Sequence, residues 1–486
     1  MLDFTALVLK SEVVKGKFFI QTLGCRLNQA ESQELEQLFF SKGWKKTSEM
    51  SSKRDSRFEA DLVVINSCVI TQKAEKEVRQ AIYKVERENP KAKLIVAGCW
   101  VNKIRLFKEK PIDGIDSIIG NGGKWRKIYK ILNIKYNLPA NATHQALQAG
   151  KYKPSIKNIL GTRSLIKIQS GCDNNCSFCI ARLVRGKPKS ATISQIVGKI
   201  KKAMSNNALE IILTGQNVSQ YNDNDKSWID LIAEVLAKTN VKLLRLGSIN
   251  PRLVELSGSK KGKFDARPDK FSRSPSGAIR TRLPAGEAGL AERFLTGKSL
   301  IEIFNGAGKD RLARHLHLSL QSGSDRILKL MNRKYTTKDY YQTVGSLRRE
   351  VEGLNITTDV IVGFPSETKE DFQKTLKFCR KVKFGKIHIF RYSDRLGTAA
   401  LKLPNKVDEK TKIRRAKILA KLEKKLRLDF WQSQIGKTTM AIVWKNGRGL
   451  TDNYIPVKML NVKGLSLPKI FKVKFSKMDP NYIQVV

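Results

Sequence analysis

The sequence is poor in acidic residues. Its 486 residues include 44 Asp and Glu against 92 Lys and Arg, which leaves a formal net charge of +48. A field of this sign attracts polyanions, so nucleic acid is the first partner to consider and an acidic membrane surface is the second. The alternative is a generally basic proteome, since the lysines are scattered along the whole chain.

Long apolar runs are also missing. No stretch approaches the ~18 uninterrupted apolar residues of a membrane-spanning helix, so we predict no membrane partner. The opening MLDFTALVLKSEVVKG has no basic lead and no clear cleavage site, which argues against a secretory signal. We therefore predict a cytoplasmic protein. In that compartment the seven cysteines are metal ligands, catalytic thiols or buried thiols rather than a disulfide framework.

Residues 17–123 alternate between strand-like and helix-like patterns. The β-type runs are KFFIQTL, ADLVVIN and AKLIVA, and the helical stretches between them are ESQELEQLFFSKG and TQKAEKEVRQAIYKVEREN. This alternation predicts a parallel sheet covered by helices, which is an α/β domain. A basic connector with little periodicity follows over 124–162.

A second alternating region covers 163–404. Its six β-type runs are SLIKIQ, EIILT, KLLRLGSI, HLHLSL, ITTDVIVGF and KIHIFRY. Six strands with crossovers predict an open, partial TIM-type barrel, (βα)6 rather than eightfold. Within it, residues 257–297 are rich in Gly, Ser, Pro and Arg, and we predict a disordered insertion there. The alternative is a basic loop that contacts RNA.

The last two segments are strongly basic. Residues 405–433 predict an amphipathic helix, because Leu419, Leu422 and Leu426 recur at helical spacing. Residues 434–486 contain nine Lys and Arg against two Asp, with short β-type runs that predict a small β-barrel.

Three cysteines lie close together in SGCDNNCSFCIARLVRG. Cys172, Cys176 and Cys179 form a C-x3-C-x2-C pattern directly after the run SLIKIQ, where a tight loop could bring their thiolates together. Structural zinc takes four ligands, and a four-iron cluster usually takes four cysteines. Three thiolates would therefore leave one iron of a 4Fe-4S cluster open to a non-protein ligand. There are two alternatives: zinc bound with a fourth ligand from elsewhere in the chain, and three cysteines that bind no metal.

Three further cysteines are far apart in sequence but share one context. Cys25, Cys68 and Cys99 each follow the end of a β-type run, in TLGC, INSC and VAGC. Because the carboxyl ends of parallel strands lie on one edge of a sheet, we expect these side chains to meet there. This pattern predicts another three-thiolate cluster. Coincidence is the alternative, since small turns with Gly and Cys are common after strands.

These features together resemble the radical S-adenosylmethionine enzymes, and more narrowly the methylthiotransferases of the MiaB/MtaB type. The resemblance covers the chain from about Lys17 to its end, apart from the region around Ser257. The matching stretches are QTLGCRLNQAES, INSCVITQKAEKEVRQ, VAGCW, SGCDNNCSFCIARLVRG, ILTGQNVSQY, HLHLSLQSGSDRILKLMNRKY, DVIVGFPSET, FRYSDRLGTAA and GLTDNYI. The terminal segment resembles a TRAM domain, which is an RNA-binding module.

The resemblance implies a radical reaction on tRNA with two 4Fe-4S clusters and S-adenosyl-L-methionine as cofactors. The catalytic cluster on Cys172, Cys176 and Cys179 would donate an electron to S-adenosylmethionine and so give a 5′-deoxyadenosyl radical. That radical would remove hydrogen from C2 of an adenosine beside the tRNA anticodon. A methylthio unit associated with the cluster on Cys25, Cys68 and Cys99 would replace the hydrogen. A flavodoxin-like cytosolic protein would be the electron donor.

The resemblance leaves the substrate open among three branches. TLGCRLNQAES and NSCVITQKAEKEVRQ favour N6-threonylcarbamoyladenosine, whereas TGQN leans towards N6-isopentenyladenosine. The third branch, which modifies an aspartate of a ribosomal protein, fits the basic terminal segment less well. A non-catalytic, metal-stapled RNA-binding protein is the alternative from a different class.

Polar residues after the barrel strands are further candidates for contact with the cofactor. Gly215 and Gln216 follow EIILT, and Gln321 and Ser322 follow HLHLSL, at positions that line the mouth of such barrels. Loop capping is an equal alternative for each. Weaker candidates of the same kind are Arg391, His315, His317, Asp359 and Glu367.

Overall fold

The computed structural model describes residues 16–47, 59–128, 162–251 and 300–486. The predicted insertion at 257–297 therefore lies outside the described residues, as does most of the predicted connector. No helix in the described part of the chain is both long enough and apolar enough to span a membrane.

The described residues divide into two compact units. The first contains those up to residue 128 together with Ser170–Lys187 and Ser393–Lys402. The second contains Thr162–Gln169, the described part of Pro188–Tyr392, and Leu403–Val486. All six cysteines of the two predicted trios thus belong to the first unit.

The first unit is built on five parallel strands. They are β1 (Lys17–Thr22), β2 (Lys45–Lys46), β3 (Leu62–Ser67), β4 (Lys93–Gly98) and β5 (Ser117–Ile119). Neighbouring strands pair in the order β2-β1-β3-β4-β5. Every residue of β3 is buried, as expected for the middle of a parallel sheet that is covered on both faces.

Helices pack with this sheet in the same unit. They are α1 (Arg26–Ser41), α2 (Gln72–Glu88), α3 (Cys99–Leu106) and α4 (Ala181–Arg185). Helix α2 begins where the Thr71 hydroxyl accepts a hydrogen bond from the Ala74 amide at 3.1 Å. Its buried face includes Val78, Ile82 and Val85, at the spacing of an amphipathic helix.

The second unit contains a partial barrel of parallel strands. They are β6 (Arg163–Lys167), β7 (Glu210–Thr214), β8 (Leu243–Leu246), β9 (Ser248–Ile249), β10 (His315–Leu318), β11 (Asn355–Val362) and β12 (Lys386–Arg391). Strands β6, β7 and β8 pair in sequence, as do β9 to β12. Only Gly247 separates β8 from β9, so the barrel has six strand positions in chain order. The predicted partial (βα)6 barrel is confirmed.

Helices cover this barrel, and most begin at a hydroxyl cap. They are α5 (Ile193–Ser205), α6 (Trp228–Lys238), α7 (Leu300–Asn305), α8 (Asp325–Leu330), α9 (Thr337–Glu350) and α10 (Lys369–Val382). Thr192, Ser227, Thr336 and Thr368 each form a reciprocal capping box with the third helical residue.

The chain ends in a long helix and a closed five-stranded barrel. These elements are α11 (Glu409–Gln432), β13 (Thr438–Val443), β14 (Arg448–Thr451), β15 (Pro456–Met459), β16 (Lys469–Met478) and β17 (Ile483–Val485). The barrel closes in the order β13-β14-β15-β17-β16. This confirms the small terminal β-barrel, and the helix lies within the predicted segment 405–433.

A buried arginine joins the small barrel to the amino-terminal edge of the partial barrel. Arg245, which is fully buried, donates to Glu210 at 2.5 Å and to the backbone oxygens of Thr451 and Asp452 at 3.1 and 2.9 Å. Glu210 is the first residue of β7, so these bonds form at the ends of the strands opposite to their carboxyl termini. Within this unit, the carboxyl-terminal edge of the partial barrel is therefore not where the small barrel is attached.

Candidate functional site

Cys25, Cys68 and Cys99 lie at turns that follow three neighbouring strands. Cys25 is the N-cap residue of α1, Cys68 follows the last residue of β3, and Cys99 is the first residue of α3. Gly24 has a φ of +89°, and a Cβ atom there would lie 2.4 Å from the sulfur of Cys68. The turns that carry Cys25 and Cys68 are therefore in direct contact, as the strand pattern predicts.

Ser67 connects the second of these turns to the third. Its hydroxyl donates to the Ala97 oxygen at 2.6 Å and accepts from the Trp100 amide at 3.1 Å. These two bonds hold Cys68, the next residue, beside the turn that contains Cys99. The sheet thus brings three cysteines together that are separated by 43 and 31 residues in the sequence.

The electrostatic setting of this trio determines whether its sulfurs carry protons. Burial, together with the charges of the neighbouring Cys25 and Cys99, raises the pKa of Cys68 to about 12, although the charge of Arg185 opposes this rise. Without metal, Cys68 is consequently a neutral thiol at pH 7. A metal that binds its sulfur must displace this proton. The N-termini of α1 and α3 offer partial positive charge to the resulting thiolates.

Cys172, Cys176 and Cys179 lie in a compact loop of the same unit. The Cys172 amide donates to the Gly186 oxygen at 3.0 Å, and the Cys179 amide donates to the Cys176 oxygen at 3.2 Å. At Gly171, with φ of +84°, a Cβ atom would lie 2.1 Å from the Lys187 oxygen, so the close approach of the two ends of the loop requires glycine. All three cysteines are half-buried.

Both trios offer a donor set that fits a three-thiolate cluster. All seven cysteines are free of disulfides. Within the described residues, no three His, Cys, Asp or Glu side chains converge as ligands of a single metal ion. A four-iron cluster places each thiolate on a different iron, so its cysteines need not converge on one point. The assignment of the six cysteines as ligands remains a prediction.

The seventh cysteine has a structural setting. Cys379 is fully buried in α10, and this burial raises its pKa to about 12. It packs in the apolar core of the partial barrel and belongs to neither trio.

The four predicted cofactor-contact residues lie in the second unit. Gly215 and Gln216 are half-buried. At Gly215 a Cβ atom would lie 2.9 Å from the side-chain oxygen of Gln169, which accepts from the Asn217 amide at 3.1 Å. Gly215 thus permits a close backbone approach, and its contact with a cofactor stays a prediction.

The other two follow β10. Gln321 has a φ of +73°, and its backbone pairs with Asp359 and Ile361 on β11. Ser322 is fully buried, and its hydroxyl lies 3.4 Å from that of Thr375 on α10. These contacts favour a structural role for Ser322. Contact of either residue with a cofactor also stays a prediction.

A polar cluster lies among the strands of the partial barrel. His317 Nε2 lies 3.1 Å from Asp359 Oδ2, and its Nδ1 lies 3.0 Å from the Thr357 hydroxyl. Ser319 donates to the same Asp359 oxygen at 3.2 Å. Burial disfavours the charged form of Asp359, yet the hydrogen bond from His317 and the charges of His317 and His388 keep the pKa of Asp359 below its ordinary value.

The remaining weak candidates have contacts of a structural kind. His315 is buried with its Nε2 2.9 Å from the Thr357 hydroxyl. Glu367 accepts from the Gly363 amide at 2.7 Å and pairs with Arg415 on α11. Arg391 pairs with Glu409 at 2.9 Å.

Cys25, Cys68 and Cys99 are called the first trio here, and Cys172, Cys176 and Cys179 the second. Several residues near the first trio have no signal in the sequence. Arg185 ends α4, six residues after Cys179, and its guanidinium contacts Glu31 and Asn28 on α1. Asn121 donates to the sulfur of Cys99 at 3.5 Å and to the Val184 oxygen at 2.9 Å. Helix α4 therefore connects the loop of the second trio to the surroundings of the first.

Two family models match the chain. The uncharacterized protein family UPF0004 matches residues 17–120, and the radical SAM superfamily matches residues 166–257 and 289–379. The first match contains Cys25, Cys68 and Cys99, and the second contains Cys172, Cys176 and Cys179.

Curated relatives match over nearly their whole length. Threonylcarbamoyladenosine tRNA methylthiotransferase MtaB of Aquifex aeolicus is 32% identical over 448 residues, which cover 91% of this chain and 96% of the relative. The tRNA-2-methylthio-N(6)-dimethylallyladenosine synthase of Endomicrobium trichonymphae is 30% identical, over 88% of this chain and 90% of its own length. MtaB of Bacillus subtilis is 29% identical, over 95% of this chain and 94% of the relative.

A solved structure shares the fold. The radical S-adenosylmethionine methyltransferase TsrM from Kitasatospora setae, with cobalamin and a [4Fe-4S] cluster bound, aligns with a TM-score of 0.50 at 13% identity. The alignment covers 80% of this chain and 77% of TsrM.

Proposed function

The chain belongs to the radical S-adenosylmethionine methylthiotransferases, and from this membership we propose that it adds a methylthio group to C2 of N6-threonylcarbamoyladenosine beside the tRNA anticodon. It is a transferase that uses 4Fe-4S clusters and S-adenosyl-L-methionine. This membership sets aside the non-catalytic RNA-binding alternative. Action on tRNA would place the protein in the cytoplasm.

The two cysteine trios carry the proposal. In it, Cys172, Cys176 and Cys179 hold one cluster and leave an iron open to S-adenosylmethionine, while Cys25, Cys68 and Cys99 hold the other. Bound there, the cofactors supply radical chemistry that can replace hydrogen on an aromatic carbon, for which side-chain acids and bases are too weak. The protein's own contribution is to fix the thiolates: Gly171 closes one loop, and Ser67 and Gly24 hold the turns of the other trio.

Burial of Cys68 and Cys99 supports the assignment of their trio to the sulfur-carrying site. Cys68 and Cys99 are 1% exposed, so water has little access to their sulfurs. A site that delivers a reduced sulfur group to a carbon centre benefits from this exclusion, because water and oxidants would compete for the group. The electron for the other cluster comes, in this proposal, from a flavodoxin-like protein.

The basic terminal barrel supports an RNA substrate. Along β16, exposed Lys472 and Lys474 alternate with buried Val473 and Phe475. One face of this strand thus fills the barrel core while the other presents cations to a phosphate backbone. Such a surface fits tRNA better than the aspartate of a ribosomal protein.

The choice of adenosine rests on the relatives. The MtaB relative of Aquifex aeolicus is slightly more similar than the dimethylallyladenosine synthase, at 32% against 30% identity. We therefore propose threonylcarbamoyladenosine and keep isopentenyladenosine as the second candidate.

Mass spectrometry of tRNA nucleosides tests the substrate. Cells that lack this protein should lose 2-methylthio-N6-threonylcarbamoyladenosine and regain it with the wild-type gene but not with Cys176→Ala. Loss of the isopentenyl product instead would select the second candidate. Unchanged methylthio nucleosides in the deleted strain would contradict the proposed function.

A further inference from the structure

A buried group of charged side chains lies beside the first cysteine trio. Arg185 Nη1 donates to Glu31 Oε1 at 3.1 Å, and Lys124 Nζ donates to Glu31 Oε2 at 2.5 Å. The three side chains are only 1%, 4% and 3% exposed, in the order Arg185, Glu31 and Lys124. One carboxylate thus faces two cationic side chains inside the protein.

Asn28 ties this group to the cysteine turns. It accepts from Arg185 Nη2 at 2.5 Å and donates to the backbone oxygens of Leu23 and Ser67 at 2.8 and 2.9 Å. Leu23 lies two residues before Cys25, and Ser67 directly precedes Cys68. The guanidinium is therefore linked through one amide to the backbone of both turns.

The charges of this group complement thiolates. Although burial lowers the pKa of Arg185, the charges of Cys99, Glu31 and Cys25 together raise it above its ordinary value. Burial lowers the pKa of Lys124, and Arg185 adds to this effect, while Glu31 opposes it. Because a guanidinium does not lose its proton in proteins, Arg185 is the more permanent cation of the two.

We propose that Arg185 is a positioning residue for the cluster at Cys25, Cys68 and Cys99, where it orients the cysteine turns and raises the reduction potential of the cluster. The inference rests on the proposed function of that trio. Reduction adds one electron to a group whose thiolates are already negative. A buried cation stabilises the reduced form more than the oxidised form, since charges interact strongly in a medium of low dielectric constant.

The position of Arg185 makes this role specific to the fold. It ends α4, the helix that directly follows the other cysteine loop, and it also contacts Ser170 at 3.2 Å, two residues before Cys172. The same short helix thus links one cysteine loop to the charge environment of the other trio.

The test uses the full chain with Cys172, Cys176 and Cys179 replaced by alanine, so that only the first trio can hold a cluster. After anaerobic reconstitution, iron is counted and the reduction potential is measured by titration followed with electron paramagnetic resonance. Arg185→Gln should shift the potential to a more negative value. Arg185→Lys, which keeps the charge, should return the potential most of the way to the value measured with Arg185.

Arg182→Gln is the matched control. It removes the same charge from the same helix, but Arg182 is exposed and donates to Asn175 at 2.7 Å, so its charge is screened by water. The reduction potential of its cluster should stay near that of the parent protein, which carries only the three cysteine-to-alanine replacements. Lys124→Gln provides a second test of the buried charge, with a negative shift expected, should Arg185→Gln fail to hold iron.

The outcomes separate the two claims. A parent protein that holds iron, with unchanged potentials in Arg185→Gln and Lys124→Gln, would overturn the inference and leave the cluster assignment standing. A parent that holds no iron would overturn the assignment of Cys25, Cys68 and Cys99, and the inference with it.

Discussion

The two cysteine trios are assembled in different ways. Cys172, Cys176 and Cys179 lie within one loop, so local backbone geometry places them. Cys25, Cys68 and Cys99 come from three strand ends, so the fold of the whole sheet places them. The comparison teaches that one site can be found from spacing alone, whereas the other requires the topology. It also implies that assembly of the site at Cys25, Cys68 and Cys99 is coupled more closely to folding of its domain.

The largest expected effect comes from the trio within one loop. Cys176→Ala should reduce both S-adenosylmethionine cleavage and methylthio product to the level of an enzyme-free control, because the cluster loses a ligand at the centre of the loop. Quantifying 5′-deoxyadenosine and the modified nucleoside in one reaction checks both. Near-normal cleavage would show that this loop does not hold the reductive cluster.

Loss of a cysteine from the other trio should separate the two activities. Cys68→Ala should abolish the methylthio product while part of the S-adenosylmethionine cleavage persists. Cys379→Ala is the matched control, since it removes a buried cysteine outside both trios and should retain both activities. Full methylthiolation by Cys68→Ala would refute the role of its trio.

A substitution at the amino-terminal edge of the partial barrel should affect stability rather than the clusters. Arg245→Met leaves Glu210 with only Arg163 as a partner among these charges and removes the donors to two backbone oxygens of the small barrel. We expect a loss of about 3 kcal/mol in the free energy of unfolding. Urea unfolding measures it.

Arg163→Met is the control for this change. Its side chain is 28% exposed, so the loss should be smaller than for Arg245→Met. An equal loss, or a loss of iron from folded Arg245→Met protein, would contradict the structural role assigned to Arg245.

The smallest expected effect concerns the affinity for tRNA. Truncation before the small barrel would expose the buried Arg245, so point substitutions are the better test of RNA contact. If Lys472 and Lys474 contact phosphates, Lys472→Gln with Lys474→Gln should reduce the slope of log affinity against log salt by about 0.7–0.9 per lysine. Filter binding at several salt concentrations measures the slope.

The control addresses the alternative of a generally basic surface. Lys201 and Lys202 are exposed on α5 of the partial barrel, and replacing both by Gln makes the same change in charge. The slope of log affinity against log salt for this double variant should stay close to that of the wild type. An equal reduction in both double variants would show that β16 has no special role in binding.

Most of the fold could be predicted from periodicity, and the misses have physical causes. Strands β2 and β5 contain two and three residues, too few to show alternation, and they form because an existing sheet edge offers partners. Strand β14 is RGLT, whose Gly449 weakens any strand pattern.

The site was predictable only where strand ends or spacing marked it. Glu31, Lys124 and Arg185 looked like ordinary members of a basic chain. Their partners lie 93 and 154 residues away in sequence, so only tertiary packing brings them together. A single sequence carries no signal for such a buried charge cluster.

Iron counting on three proteins tests the central claim most directly. After reconstitution, the wild type should hold about eight irons per chain, and about four should remain when either trio is replaced by alanine. About four irons in the wild type, all lost with one trio and unaffected by replacement of the other, would contradict two separate sites.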